Sequence, residues 1–172
     1  MMRRTTEARN RSSPDRQTAT PAGHAAQAAV AEVSAAVARE FDAADRMVDL
    51  QLTTMPLAGG FPPRRPLEQL AATSLPGTHI RAVTPVKPPW RWIELLQGSL
   101  EATASHPRTD RHDSLAQASA LRVAEAIEQH LGAVRIAARL DLVSEASSPA
   151  WQNAYVLVTA THLAGLLVTI ED

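Results

Sequence analysis

The chain has no cysteine, which removes disulfides, thiolate metal sites and a cysteine nucleophile together while leaving the redox compartment open. Aromatic residues make up only 3% of it. A core must therefore be assembled from Leu, Val, Ile and Ala, side chains that suit close helix–helix contact somewhat better than a sheet sandwich. Lys87 is the sole lysine, so positive charge is carried by arginine. Glycine is scarce, at seven residues, and no dinucleotide fingerprint appears. Gly59-Gly60 lacks the lysine and following hydroxyl residue of a phosphate loop, and no Gly-x-Ser-x-Gly elbow presents a serine nucleophile. A formal net charge of −1 argues against general affinity for nucleic acid.

What is present is enough apolar residue, 45% of 172, for one domain with a real core. Residues 1–20 hold no large apolar side chain beyond the first two methionines and read as a disordered, arginine-bearing tail. No apolar stretch follows Arg3-Arg4 as an export signal would require, and the expectation is a cytoplasmic chain. Thr20-Pro21 is a helix start, a hydroxyl cap followed by a proline whose missing N–H is harmless there. From it a long helix is predicted over 21–54. Val30, Val33, Val37, Phe41, Ala44 and Val48 form its seam, and Asp42–Arg46 is an ion pair on its surface.

Eight prolines between Pro56 and Pro89 turn 55–89 into a Pro-rich connection, with a short helical piece at Leu67–Ala72 and a brief extended one at His79–Val83. A helix over 90–104 follows. The stretch 113–146 reads as the central helix, started by Asp113 or Ser114 and carrying Ala120, Ala124, Ile127, Leu131, Val134 and Ala138 on its apolar face. Gly132 within it costs about 1 kcal/mol relative to Ala. From Val134 to Leu142, however, apolar residues also alternate as in a half-buried strand. Ser148-Pro149 repeats the capping device, and 149–170 is apolar nearly all round. It is long enough to span a bilayer but is interrupted by Gln152, Asn153 and His162, so no membrane span is expected and burial in a bundle is preferred. Its β-branched residues leave open a hairpin joined near Ala164-Gly165. The fold expected is thus all-α, a bundle of about four helices, with an α+β fold ending in a C-terminal hairpin as the alternative.

Three functional readings follow. The first is a non-enzymatic interaction module that binds a partner protein or itself. Partner contact is expected at Arg64, Arg65, Trp90, Arg91 and Trp92, because Trp and Arg dominate protein–protein hot spots. Self-association as a two-fold dimer is expected through Val30, Val33, Val37 and Phe41. The second reading is a small metal-dependent hydrolase using His106, Asp110, His112 and Asp113, the one local cluster of metal-ligating residue types. The third is weak nucleic-acid binding through the tail's arginines. No cofactor is expected, and no catalytic residue stands out.

Overall fold

The computed structural model describes residues 20–41, 47–57, 64–74, 78–102, 110–144 and 151–171. Residues 1–19 of the expected tail over 1–20, the Asp42–Arg46 pair and the Ser148-Pro149 start lie outside the described residues. The fold is α+β and corrects the all-α bundle. Four α-helices and a five-stranded antiparallel sheet stand among the described residues. In chain order the elements are α1 (Pro21–Phe41), β1 (Met47–Pro56), α2 (Arg64–Ser74), β2 (Thr78–Val86), a 3-10 turn (Pro89–Arg91), α3 (Trp92–Glu101), α4 (Asp110–Leu131), β3 (Ile136–Ser144), β4 (Trp151–Val158) and β5 (His162–Glu171). The strands lie in the order β1-β5-β4-β3-β2, so β1 and β2 are the edges.

The N-terminal start is built as its residues suggest. Thr20 Oγ1 accepts a hydrogen bond from the Gly23 N–H at 3.0 Å, capping α1. The buried stripe of α1 is Gly23, Ala26, Val30, Ser34, Val37 and Phe41, spaced by three or four residues. The helix ends at Phe41, not near 54, because the residues from Met47 switch period. Val48, Leu50 and Leu52 are buried while Asp49 and Gln51 are exposed, the alternation of an edge strand with one covered face.

Gly132 decides the second correction. Its φ of 83° is the left-handed region that glycine enters at little cost, and its N–H donates to the Glu128 carbonyl at 3.0 Å. The residue is therefore the stop of α4, and the alternating run beyond it is the strand β3. The expected apolar helix over 149–170 is likewise the β4–β5 hairpin. Its turn lies at 159–161, where Thr159 exchanges hydrogen bonds with His162: its N–H donates to the His162 carbonyl at 3.0 Å, and its Oγ1 accepts from the His162 N–H at 3.1 Å. Gly165 sits inside β5 instead, under α2. A Cβ there would lie 2.7 Å from Leu70 Cδ2, so the glycine lets helix and strand approach closely.

The sheet separates two apolar layers. On one face α1, α3 and α4 pack over Leu50, Tyr155, Leu157, Leu166 and Val168. On the other, α2 sets Leu67, Leu70 and Ala71 against Ile80, Leu140, Val156 and Leu163. β2 serves both. A register shift between Ile80 and Ala82 inserts Arg81 as a bulge, so Ile80 points to the α2 side and Val86 to the other. Among the described residues no helix is long and apolar enough to cross a membrane.

Candidate functional site

An exposed sheet edge carries unpaired backbone groups that need a cover. On β1 that cover is α1. The Leu50 N–H turns away from β5 and donates to Ser34 Oγ at 2.8 Å. Ser34 in turn donates to Asp49 Oδ1 at 3.0 Å, and Gln51 Nε2 donates to Asp49 Oδ2 at 2.7 Å. Ser34 is therefore both donor and acceptor, a pin between helix and strand. On either side of it the helix presents the small residues Ala31, Ala35 and Ala38, and a groove of about 880 Å³ opens between α1 and β1. Met47 and Leu167 give it an apolar part, and Met47 is 62% exposed. Gln27, Gln152 and Thr169 add amide and hydroxyl groups to its lining, which also holds the Asp49 carboxylate.

The groove holds none of the catalytic combinations that pair a nucleophile with an activated base. Its Asp49 carboxylate accepts from two neutral donors and has room on each oxygen for a further hydrogen bond. The arrangement can bind, and it favours a group that brings a positive charge. No family model matches the chain, and no curated protein or solved structure matches it. The reading of the site thus rests on its own geometry.

The residues singled out in the sequence are scattered. Trp90 is 59% exposed beside Arg91, whose guanidinium lies 3.7 Å from Glu94, whereas Trp92 is wholly buried among α3 and α4 side chains. The proposed tryptophan pair is thus split between surface and core. Arg64 and Arg65 open α2, with their side chains outside the described residues. Of the four self-association residues, Val30, Val37 and Phe41 are buried in the chain's own core, and Val33 packs partly against it. His106 lies outside the described residues, as does the side chain of Asp110. His112 and Asp113 stand in the first turn of α4, which begins at Asp110, so neither Asp113 nor Ser114 is its cap. The His112 ring meets Phe41 edge-on at 5.4 Å between centroids. Among the described residues no group of three or more His, Asp or Glu side chains converges on a metal-sized space.

Ser34, Asp49 and Gln51 were missed by sequence reasoning. One signal for them existed: a serine in the middle of α1's apolar stripe, where a buried hydroxyl requires a partner.

Proposed function

We propose that this α+β domain is a non-catalytic binding module whose working surface is the groove between α1 and β1. The observation that carries the reading is the Asp49 carboxylate, exposed in the α1–β1 groove and, among the described residues, hydrogen-bonded by neutral groups alone. A carboxylate of this kind attracts a cation, and the surrounding glutamines supply both donors and acceptors for a peptide backbone. The alanine wall leaves width for an extended segment. The partner class that fits is therefore a segment of protein bearing arginine or lysine.

The test is a titration of the isotopically labelled chain with a short arginine-containing peptide and with its glutamate-substituted counterpart. The basic peptide is expected to shift backbone amide resonances of residues 47–52 and of Ala31 and Ala35, and the acidic one to leave them unmoved. Ala35→Trp, which fills the groove, should abolish the response. Shifts centred elsewhere, or undiminished in Ala35→Trp, refute the reading.

A second reading, a metal-dependent hydrolase at the start of α4, is favoured by one observation. His112 Nε2 and Asp113 Oδ1 are buried and lack hydrogen-bond partners among the described residues. A buried imidazole nitrogen and a carboxylate oxygen left unpaired are costly unless something binds them, and both are donors that suit zinc or manganese. Under this reading the purified protein takes up one zinc ion per chain, and His112→Ala together with Asp113→Ala removes it. Zinc uptake unchanged in that double variant would leave the reading without support.

A further inference from the structure

We propose that Thr20 and His162 form a pH-operated latch that holds the first turns of α1 on the sheet and releases them when the imidazole takes up a proton. Both ring nitrogens are occupied by hydroxyls. Nε2 lies 2.6 Å from Thr20 Oγ1, and Nδ1 lies 2.8 Å from Thr161 Oγ1. In the latch Thr20 Oγ1, which accepts from the Gly23 N–H as the helix cap, gives its own proton to the ring. Nε2 is then the acceptor and Nδ1 carries the hydrogen, which it donates to Thr161. This is the neutral imidazole. The same hydroxyl thus caps the helix and ties it, across 142 residues of sequence, to the start of β5.

Protonation leaves the Thr161 bond in place and upsets the Thr20 side of this arrangement. Nε2 becomes a donor, so the Thr20 hydroxyl hydrogen loses its acceptor. The new charge is buried, with His162 only 7% exposed, and it faces the positive end of a 21-residue helix. Among the described residues little around it compensates. The turn at 159–161 and Leu57, whose N–H donates to the Thr161 carbonyl at 2.7 Å, bring no titratable group. β1's only ionisable side chain is Asp49, seven residues and roughly 24 Å along the strand from Pro56, the residue opposite His162. β5's other one is Glu171, at the far end. In α1 the first charge after the exposed His24 is Glu32, about 18 Å from the cap. Arg135, exposed before β3 and two strands away, is a cation and works against protonation. α4 runs antiparallel beside α1 and brings Glu125, Glu128 and His130 to this end, and none of them ion-pairs with the imidazole. Burial accordingly holds His162 below its ordinary value of 6.5.

The sign follows directly. The released histidine binds a proton more readily than the latched one, so falling pH favours release from 6.5 downwards, and the effect levels off once the latched form also protonates. Within that window one proton gives at most a tenfold increase in the released fraction per pH unit.

Amide hydrogen exchange of the full chain, corrected for intrinsic rates and read against residues 120–126 of α4, tests this. Residues 22–26 are expected to lose protection by up to tenfold per unit below pH 6.5, while the α4 reference stays level. In His162→Gln the loss should no longer depend on pH. Thr20→Val, which keeps shape but removes the hydroxyl, should leave 22–26 poorly protected already at pH 7.5, independently of whether the glutamine variant folds. Ring nitrogen chemical shifts should show hydrogen on Nδ1 at neutral pH. Equal loss in α4, acid loosening that persists in His162→Gln, or full protection in Thr20→Val overturns the latch.

Discussion

Truncating Trp92 to alanine is expected to destabilise the fold by about 3–5 kcal/mol, while the same change at Trp90 moves stability by no more than about 0.5 kcal/mol. The two residues are neighbours across one arginine but differ completely in surroundings. Trp92 has no exposed surface and joins the layer formed by α1, α3, α4 and the sheet, and Trp90 is 59% exposed on the turn before it. Removing the buried indole leaves a cavity among Leu96, Leu100 and their neighbours that a close-packed layer fills only in part. Urea unfolding followed by circular dichroism measures both changes. Among the described residues the Trp92 indole N–H has no hydrogen-bond partner, so Trp92→Phe, which removes the orphan donor along with some volume, should cost clearly less than Trp92→Ala. Equal effects at Trp90 and Trp92 would mean that the 3-10 turn, not the core, carries their contribution.

How far this arrangement could be read in the sequence depends on which competing local signal prevails. The Thr20-Pro21 start of α1 was legible because a hydroxyl cap and a first-position proline act through the nearest backbone alone. The strands were harder. Alanine and leucine at 134–142 fit a helical stripe and a strand alternation equally well. The deciding residue was Gly132, which carries a positive φ at the end of α4 and was weighed only as a tolerable cost inside a helix. The alternation Val48-Asp49-Leu50-Gln51-Leu52 was present but overshadowed by the strong helix before it. For 151–171 the two strands are buried on both faces, so neither shows polar alternation, and a fully apolar run does not tell strand from buried helix. Their turn contains no glycine or proline and is held by Thr159, so the hairpin alternative placed the bend at Gly165, where α2 crosses the strand.

The candidate site was less legible than the fold for a related reason. Its parts, Ser34 and Asp49, lie on different elements and become neighbours only when α1 closes over the β1 edge. The tryptophan–arginine cluster had the right residue types for a partner surface, yet helix geometry turns Trp92 inward because it is the first residue of α3 and falls on the same face as Leu96 and Leu100. Residue type alone marks candidates. Placement decides which of them meet a solvent-facing partner.

Ser99→Ala is the second change with a large expected effect, about 2 kcal/mol from the loss of a single oxygen. Ser99 Oγ is the hub of a buried polar chain between α3 and the sheet. It donates to the Leu95 carbonyl at 2.9 Å, accepts from Asn153 Nδ2 at 2.8 Å, and lies 2.9 Å from the Tyr155 hydroxyl. Either hydroxyl can be the donor of that last pair, since the Tyr155 hydroxyl also reaches the Leu95 carbonyl at 3.1 Å. Arg139 Nη2 continues the chain to the surface by donating to Asn153 Oδ1 at 3.0 Å. On removal of Ser99 Oγ, Tyr155 can turn to the Leu95 carbonyl, 3.1 Å away, but the Asn153 amide is left buried without that acceptor. The cost should therefore fall on Asn153, and a cycle of Ser99→Ala with Asn153→Ala should show strong coupling while one with Tyr155→Phe shows less. Tyr155 is the chain's single tyrosine, so phenolate absorbance reports it alone. Burial pushes its phenol above the ordinary 10.0, and the Ser99 hydrogen bond and the Arg139 charge draw it part of the way back. The folded chain thus holds the phenol proton more tightly than the unfolded one, a contribution present below pH 10 and lost as pH rises through the folded value. Ser99→Ala should delay phenolate formation further. A variant that titrates earlier than the parent, or loses less than about 0.5 kcal/mol, would show that the hydroxyl is dispensable and that apolar packing alone seats α3 on the sheet.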